Sequence, residues 1–302
     1  MEERRFVAGP EDAGQRLDRC LARWMGISRR RATSAIEEGA VLVDGRPAPK
    51  GHLLRPGQEV LARVPTDLAP VPEDRPIRIP HEDEWLLVAE KPSGWPTHPL
   101  RAGETGTLAN AVVAHAPSCS TASADPREGG AVHRLDTETS GLVLFAKQRA
   151  VWEEMRRAFT ERRVHKEYLA LVRGAAEGGS IRRPIVGASA GRSRVARPGE
   201  EGREALTEVE PIRSLEFPSG GLWTLVRCVI PTGVRHQIRV HLEAIGNPIA
   251  GDPLYGEARL PGLGRLFLHA TALRFTHPAT GRELRIESSL PRELEEILGA
   301  GF

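Results

Sequence analysis

A short stretch of the chain combines reactive side chains, a turn and a strand-like run. In HRLDTETSGLVLFAK, residues 133–147, His133, Arg134 and Asp136 precede the turn residues Thr139-Ser140-Gly141 and an uninterrupted apolar run. Many such strings are solvated surface loops in which an acid caps a turn. The alternative is a carboxylate that a rigid strand holds in place for nucleophilic or acid–base chemistry.

A second stretch, residues 232–256, carries cations on a predicted helix. Its sequence is TGVRHQIRVHLEAIGNPIAGDPLYG, and three apolar residues share one helical face: Ile238, Leu242 and Ile245. Arg235 and Arg239 are four residues apart, so they are expected one turn from each other beside that face. Two guanidinium groups on a packed helix can bind phosphate or pair with a carboxylate. A cation within reach of Asp136 would keep that carboxylate ionised, as a nucleophile requires.

Other chemistries fit the same residues less well. His236 and His241 are five residues apart, a poor match to the HxxxH face of a zinc-binding helix, and no third ligand is evident, so no metal site is predicted. These two histidines and His133 are expected to form hydrogen bonds in the core or to contact RNA. Asp136 and Glu138 are the minimum pair for a glycosidase, but the turn beside them makes a shared orientation unreliable. A glycoside or nucleoside hydrolase is therefore kept as an alternative.

Composition restricts the class of protein. Hydrophobic residues make up 40% and charged residues 27% of the 302 residues, which is typical of a folded globular protein. The three cysteines form no CxxC pair, so free thiols in a reducing compartment are expected. The N-terminus has no signal-peptide core, and no apolar run approaches the roughly 18 residues of a membrane span. A cytoplasmic protein without a membrane partner is predicted.

The N-terminal part is predicted to form two helices and a hairpin. Apolar residues recur at helical spacing from Leu17 to Trp24, and a second helix is expected from an N-cap at Ser28 to about Gly39. Asp44-Gly45 between apolar residues predicts a hairpin turn. Although the formal net charge is only +2, cations outnumber acids in this region. Such a cluster suits a polyanion, and a solvated helix face is the alternative.

The rest of the chain predicts an α+β domain. Short aliphatic runs indicate strands at residues 85–92, 141–147, 168–172 and 222–230. One helix is indicated by the spacing of Trp152, Met155 and Phe159, and no strict βαβ alternation follows. Residues 175–202 are expected to be a mobile polar insertion. The proline-rich residues 65–80 indicate a linker, so the predicted domains are residues 1–64 and 81–302.

Four segments, in order, resemble the RluA-type pseudouridine synthases. HRLDTETSG is similar to the catalytic signature of that family, and the other three are EWLLVAEKPSGWPTHP (84–99), HKEYLALVRG (165–174) and the stretch at 232–256. The N-terminal sequence QRLDRCLARWMGISRRRATSAIEEGAVLVDG resembles the αL-motif RNA-binding domain of a ribosomal small-subunit protein. Four matched segments in the right order are far more specific than any one of them.

The resemblance implies a fold and a reaction. The expected fold is a mixed, largely antiparallel sheet with flanking helices and a central RNA-binding cleft, preceded by a small α+β RNA-binding domain. The expected reaction converts uridine in RNA to pseudouridine: the base leaves C1′ of the ribose, rotates and rejoins through C5. No cofactor is implied, because the reaction involves no redox change and no energy input.

The resemblance also implies residue roles. Asp136 matches the family's aspartate, which adds to C6 of the uracil or to C1′. Arg134 would fill the place that the flipped base vacates. Tyr168 would stack on the uracil and remove the proton from C5, and a buried structural tyrosine is the alternative. Arg239 would pair with Asp136. RNA contacts are expected from Arg16, Arg29, Arg30, Arg31, Lys50, Arg235 and His236.

One departure from the family pattern concerns the third motif. Val234 follows Thr232-Gly233 where the family usually has arginine, and Arg235 offers a cation one position later. The expected partner is RNA, with ribosomal RNA favoured over transfer RNA by the N-terminal domain, and a monomer is expected. The rival hypothesis is a non-catalytic RNA-binding or ribosome-assembly protein on a synthase scaffold.

Overall fold

The computed structural model describes residues 3–27, 29–49, 51–63, 68–218, 221–256 and 258–299, without the side chains of Arg30, Arg31 and Ala190. The chain forms two compact units, residues 1–68 and 69–302. The predicted N-cap Ser28 lies outside the described residues. Within the described residues, no helix combines the length and apolar character that a membrane span requires.

The first unit packs two helices on a small sheet. Its elements are β1 (Arg4–Val7), α1 (Leu17–Met25), α2 (Arg29–Glu37), β2 (Val41–Val43), β3 (Arg46–Pro47) and β4 (Glu59–Ala62). The strand order is β1-β4-β2-β3, and every pair is antiparallel. Asp44 and Gly45 both have positive φ, as the turn of the β2–β3 hairpin requires. The two helices and this hairpin were predicted, whereas β1 and β4 were not.

The second unit is built on one large sheet. Its strands are β5 (Arg78–Glu82), β6 (Leu86–Lys91), β7 (Ser140–Ala146), β8 (His165–Arg173), β9 (Gly179–Arg182), β10 (Ile185–Gly187), β11 (Ser193–Val195), β12 (Leu206–Phe217), β13 (Gly221–Val229), β14 (Leu268–Thr276) and β15 (Glu283–Glu287). Its helices are α3 (Leu108–His115), α4 (Arg149–Thr160), α5 (Gln237–Ala244) and α6 (Arg292–Gly299). Nine strands form the sheet in the order β5-β6-β7-β14-β8-β13-β12-β9, with β15 beside β14.

The sheet is mixed and largely antiparallel, which confirms the expected fold class. Among the described strand pairs, β7 and β14 run parallel, and they meet where Ser140 pairs with His269. Gly141 is required at this point, because its φ is +115° and a Cβ there would lie 2.2 Å from the carbonyl oxygen of Ala270.

Both faces of strand β7 are buried, and this explains its uninterrupted apolar sequence. Val143 and Phe145 pack in the core that contains α3 and α5, while Leu142 and Leu144 pack on the opposite face with α4. A strand covered on both faces has no polar alternation. The strand-fixed alternative for the 133–147 stretch is therefore the one that the fold supports.

Two expectations about local structure need correction. Helix α5 begins at Gln237, so Arg235 lies outside it and is not one turn from Arg239. The reason is the turn before the helix, where His236 has a left-handed φ of 58° and the Gln237 side chain accepts a hydrogen bond from the Val234 N–H. Ile245, expected on the apolar face, follows the helix and is exposed.

The second correction concerns regions expected to be irregular. Residues 175–202 contain strands β9, β10 and β11, and β10 and β11 form a hairpin. Part of the predicted linker packs on the second unit. The Asn110 side chain donates a hydrogen bond to the carbonyl oxygen of Val71, Glu73 accepts one from the Gly106 N–H, and β5 begins at Arg78.

Candidate active site

A cavity of about 660 Å³ collects the predicted catalytic residues in the second unit. Asp136 comes from the loop before β7, Tyr168 from β8 and Arg239 from α5, and all three line this cavity. Arg134, Arg235 and His236 line it as well. Residues from three separate segments of the sequence therefore meet in one place.

The loop around Asp136 is held by the segment that follows β6. The hydroxyl of Thr97 donates to the carbonyl oxygen of Leu135 at 3.0 Å and accepts from the Leu135 N–H at 3.1 Å. On the other side of Asp136, the carbonyl oxygen of Thr137 accepts from Nζ of Lys91 at 2.9 Å. Because its neighbours on both sides are fixed, the carboxylate is positioned before substrate binds.

Lys91 is the buried centre of this support. Its Nζ donates to three carbonyl oxygens, those of Pro92, Trp95 and Thr137, at 2.7–2.9 Å. Burial lowers the pKa of Lys91 to about 7, and nearby Arg265 adds to the effect. The three carbonyl oxygens oppose this shift because they accept all the hydrogens of an ammonium group. Lys91 therefore joins the segment after β6 to the loop that carries Asp136.

Arg239 and His236 face the carboxylate of Asp136. Nη1 of Arg239 lies 3.6 Å from Oδ2, and Nε2 of His236 lies 3.9 Å from Oδ1. Both distances are too long for a hydrogen bond, so the contacts are electrostatic. The carboxylate keeps its lone pairs available while a buried cation stands beside it.

Asp252 holds the Arg239 guanidinium at 3.6 Å from the Asp136 carboxylate. The Asp252 carboxylate accepts two hydrogen bonds from Arg239, at 2.8 Å from Nε and 2.7 Å from Nη2, and both side chains are buried. Burial disfavours the charge on Arg239, but the hydrogen bonds and the charge of Asp252, together with the charge of Asp136, outweigh burial and hold the pKa of Arg239 above its ordinary value. Gly251 gives Asp252 its place, because a Cβ there would lie 2.0 Å from the carbonyl oxygen of Arg265.

Tyr255 supports His236 in a similar way. Its hydroxyl lies 2.8 Å from Nδ1 of His236 and accepts a hydrogen bond from the Ser193 N–H at 2.9 Å. The Tyr255 ring also lies under the Arg239 guanidinium, 5.0 Å from centroid to Cζ. Burial lowers the pKa of His236, so the neutral imidazole is favoured. Tyr255 thus connects the catalytic pocket with strand β11.

Tyr168 presents a protonated phenol to the cavity. Its side chain is buried, and burial raises the pKa of the hydroxyl above its ordinary value, with a further contribution from the charge of Asp136. The phenol of Tyr168 is therefore neutral near pH 7. Tyr168 also packs in the core cluster, as the structural alternative expects, and its catalytic role stays a prediction.

Arg134 and His133 differ in role although they are adjacent. Arg134 is exposed and lines the cavity. The His133 ring stacks on Phe159 at 4.7 Å, and its Nε2 accepts a hydrogen bond from the Leu144 N–H. Burial lowers the pKa of His133 to about 3. His133 is therefore a neutral histidine that fixes the start of the catalytic stretch.

Three observations concern the residues of the hydrolase and metal alternatives. Glu138 lines a different cavity from Asp136, so the two carboxylates do not face one substrate site. His241 is bound to the Thr207 hydroxyl and the Arg183 carbonyl oxygen. No group of three or more His, Cys, Asp or Glu able to hold a metal ion occurs among the described residues.

The RNA-binding residues predicted in the first unit are only partly described. Arg16 and Arg29 both pair with the buried carboxylate of Asp18, at 2.9 Å each. The hydrogen bond from Arg16 is the main cause that lowers the pKa of Asp18 to about 2. Both arginines remain largely exposed beyond that contact. Lys50 and the side chains of Arg30 and Arg31 lie outside the described part of the chain.

Sequence reasoning missed the supporting residues. Asp252 and Tyr255 lie in the quoted GDPLYG turn, but neither was assigned a role there. The available signal for Asp252 was the glycine directly before it, because a glycine can adopt the left-handed backbone that lets a following residue approach its neighbours closely. Nothing in the sequence indicated that Thr97 would hold the Asp136 loop, because the two are 39 residues apart.

The second unit thus combines a mixed sheet with a carboxylate, a tyrosine and an arginine that line one cavity. Residues 85–244 match the family model described as RNA pseudouridylate synthase, and residues 15–60 match the S4 domain. The chain is 35% identical to the ribosomal large subunit pseudouridine synthase D of Xanthomonas campestris, over 98% of this chain and 92% of that protein. It is 36% identical to the protein of the same name from Neisseria meningitidis serogroup B, over 95% and 79%.

A solved structure agrees with these sequence matches. Human RNA Pseudouridylate Synthase Domain Containing 1 superposes with a TM-score of 0.57 at 25% identity, covering 76% of this chain and 95% of that one. The chain belongs to the RNA pseudouridine synthase family, in its RluA-type branch, with an N-terminal S4 domain. It is therefore an isomerase.

Proposed function

We propose that this isomerase converts uridine to pseudouridine in large-subunit ribosomal RNA through a covalent bond to Asp136. The observation that carries the proposal is the position of the Asp136 carboxylate, 3.6 Å from the buried Arg239 guanidinium in a cavity that also contains Tyr168. A single chain supplies all three groups, so a monomer suffices for the chemistry.

Asp136 is suited to attack because it is fixed but not hydrogen-bonded to its cation. The carboxylate adds to C1′ or to C6 of the bound nucleotide, and the bond between C1′ and N1 breaks. The base then turns, C5 bonds to C1′, C5 loses its proton and N1 gains one. Arg239 offsets the negative charge of Asp136 before the attack and again when the carboxylate is released.

Tyr168 changes its acidity during this sequence. In the free enzyme the charge of Asp136 helps to raise the pKa of the Tyr168 hydroxyl. When the carboxylate becomes an ester, that charge is removed and the pKa of Tyr168 falls. The phenol then hydrogen-bonds and stacks on the base early in the reaction and serves proton transfer at C5 later.

Arg134 acts before the chemistry. A uridine inside a helix cannot reach a cavity of this depth, so the nucleotide must leave its stack. The exposed Arg134 guanidinium, two residues from Asp136, enters the vacated place and binds the neighbouring bases or phosphates.

Ribosomal RNA is the proposed substrate for two reasons. The two bacterial relatives described above are named as enzymes of the ribosomal large subunit. The chain also carries an S4 domain with exposed arginines on α1 and α2. These cations add affinity for the phosphate backbone, which decreases as salt is raised.

The test is tritium release from RNA that contains [5-³H]uridine, after separation into ribosomal and transfer RNA fractions. Release from the ribosomal fraction, with pseudouridine formed in equal amount, is the expected result. Release from transfer RNA alone would reject the proposed substrate. Free uracil in place of pseudouridine would indicate a hydrolase, and binding without any release would indicate a non-catalytic RNA-binding protein.

A further inference from the structure

The mechanism leaves one buried cation of the catalytic cavity without a role. Lys166 lies two residues before Tyr168 on strand β8, so the two side chains point to the same face of the sheet. Lys166 is only 6% exposed, and it lines the same cavity as Asp136 and Tyr168. A charged side chain with so little exposure requires partners.

The protein supplies those partners incompletely. Nζ of Lys166 donates one hydrogen bond, to the carbonyl oxygen of Thr232 at 2.9 Å, and lies 5.6 Å from the Phe159 ring centroid. Within the described residues it has no second acceptor and no carboxylate partner. Lys91 is the useful comparison, because its three hydrogens all find carbonyl oxygens. An ammonium group has three donors, so two donors of Lys166 remain for a ligand.

The surroundings of Lys166 favour an anion. Seven lysine and arginine residues line the cavity against three aspartate and glutamate residues, and Asp252, which lies outside the lining, offsets one of the seven, Arg239. Arg203 and Arg235 are exposed on the same cavity, and neither forms an ion pair with a described carboxylate. A neutral carbonyl group of the base would leave this excess charge uncompensated, whereas a phosphate would offset it.

We propose that Lys166 binds a phosphate oxygen of the RNA strand next to the reacting nucleotide, with Arg203 and Arg235 as exposed cations toward the mouth of the cavity. The inference rests on the proposed function, since it assigns an anchor to the same RNA. This contact holds the backbone of the flipped nucleotide while its base turns from attachment to C1′ through N1 to attachment through C5. Lys166 is thus a substrate-binding residue that takes no part in bond making.

The test uses Lys166→Gln, which keeps a donor for the Thr232 carbonyl oxygen and removes the charge. Lys166→Met is the second variant if the glutamine does not fold. Lys147→Met is the control, because Lys147 is paired with Glu82 and lies outside the cavity. Transcribed large-subunit ribosomal RNA is the probe for binding between low and high salt.

Lys166→Gln is expected to weaken binding about 10-fold or more, since a hydrogen bond to a charged group is lost. The slope of log affinity against log salt should decrease by about one, as for one lost phosphate contact. The control should keep the slope of the wild type. An unchanged slope for Lys166→Gln, with the fold intact, would overturn the proposal.

A second measurement separates a phosphate contact from a base contact. A series of synthetic RNAs contains the uridine that the protein converts. Each RNA carries a neutral methylphosphonate in place of one phosphate, at a different linkage. Wild type should lose about 10-fold in affinity at one linkage adjacent to the uridine, and Lys166→Gln should lose nothing further there. Equal losses in both proteins at every linkage would show that Lys166 contacts no phosphate. Failure of the proposed function would be distinguishable from failure of this inference, because wild type would then release no tritium even from RNA without methylphosphonate linkages.

Discussion

Replacing Asp252 by asparagine tests whether the buried ion pair between Arg239 and Asp252 sets the reactivity of Asp136. Asp252 holds Arg239 by two hydrogen bonds of 2.7 and 2.8 Å in a buried site. Asparagine offers one oxygen acceptor, and its NH₂ group would face a guanidinium N–H, so one bond is replaced by a repulsive contact. Arg239 would then have Asp136 as its nearest full negative charge.

The magnitude follows from burial. Breaking a buried ion pair costs about 3–5 kcal/mol, and retention of one hydrogen bond reduces this to roughly 2–3 kcal/mol. For a unit of this size that corresponds to a melting temperature lower by roughly 4–12 °C. A guanidinium that closes on Asp136 would also block its attack, so kcat should fall by about 100-fold or more.

The assay compares thermal unfolding and single-turnover tritium release for Asp252→Asn and for Asp125→Asn. Asp125 also pairs with an arginine, Arg127, through both of its carboxylate oxygens, but both side chains are more than one-third exposed. That control should lose less than about 1 kcal/mol and retain its activity. Equal effects of the two substitutions, or full activity of Asp252→Asn, would refute the role given to the Arg239–Asp252 pair.

Three further predictions follow from the site and the first unit. Tyr168→Phe keeps the aromatic ring and loses the hydroxyl, so kcat should fall by about 100-fold or more with little change in RNA affinity; a kcat within threefold of wild type would leave Tyr168 a purely structural role. His133 has a pKa lowered from an unfolded value near 6.5 to about 3, so its contribution to stability is present above pH 6.5 and is lost as pH falls toward 3. Wild type should therefore lose about 2 kcal/mol relative to His133→Gln between pH 7 and pH 5 in chemical denaturation, and parallel pH profiles would contradict this. Arg29→Ala combined with Arg30→Ala should weaken RNA binding and flatten its salt dependence without changing the single-turnover rate, and an unchanged salt slope would indicate a solvated helix face.

Motifs close in sequence allowed much of the fold to be predicted. The strand after HRLD, the strand carrying Tyr168 and the helix carrying Arg239 were each expected from short apolar patterns. The spacing of apolar residues shows which face of a helix or strand is buried. It therefore predicts elements that are formed by the same short segment in which the pattern occurs. The mixed sheet itself came from the family resemblance.

What could not be predicted depends on contacts between distant segments. The turn that excludes Arg235 from α5 is set by the left-handed His236 and by the Gln237 side chain, and no periodic pattern encodes it. The short strands at 179–195 were missed because glycine and arginine interrupt any apolar alternation in the segment, and because the partner of β9 is strand β12, which follows later in the chain. The supports from Thr97 and Asp252 likewise act across distances in sequence that local patterns do not reach.

The most direct test of the central claim is the yield of pseudouridine from large-subunit ribosomal RNA incubated with wild type or Asp136→Asn at equal saturation. The substitution is nearly isosteric, and among the described residues the Asp136 carboxylate accepts no hydrogen bond, so melting temperature and RNA affinity should change little. Wild type should form pseudouridine in an amount equal to the tritium released, and Asp136→Asn should form none. Pseudouridine from the folded variant at a rate near that of wild type would contradict the assignment of Asp136 as the nucleophile.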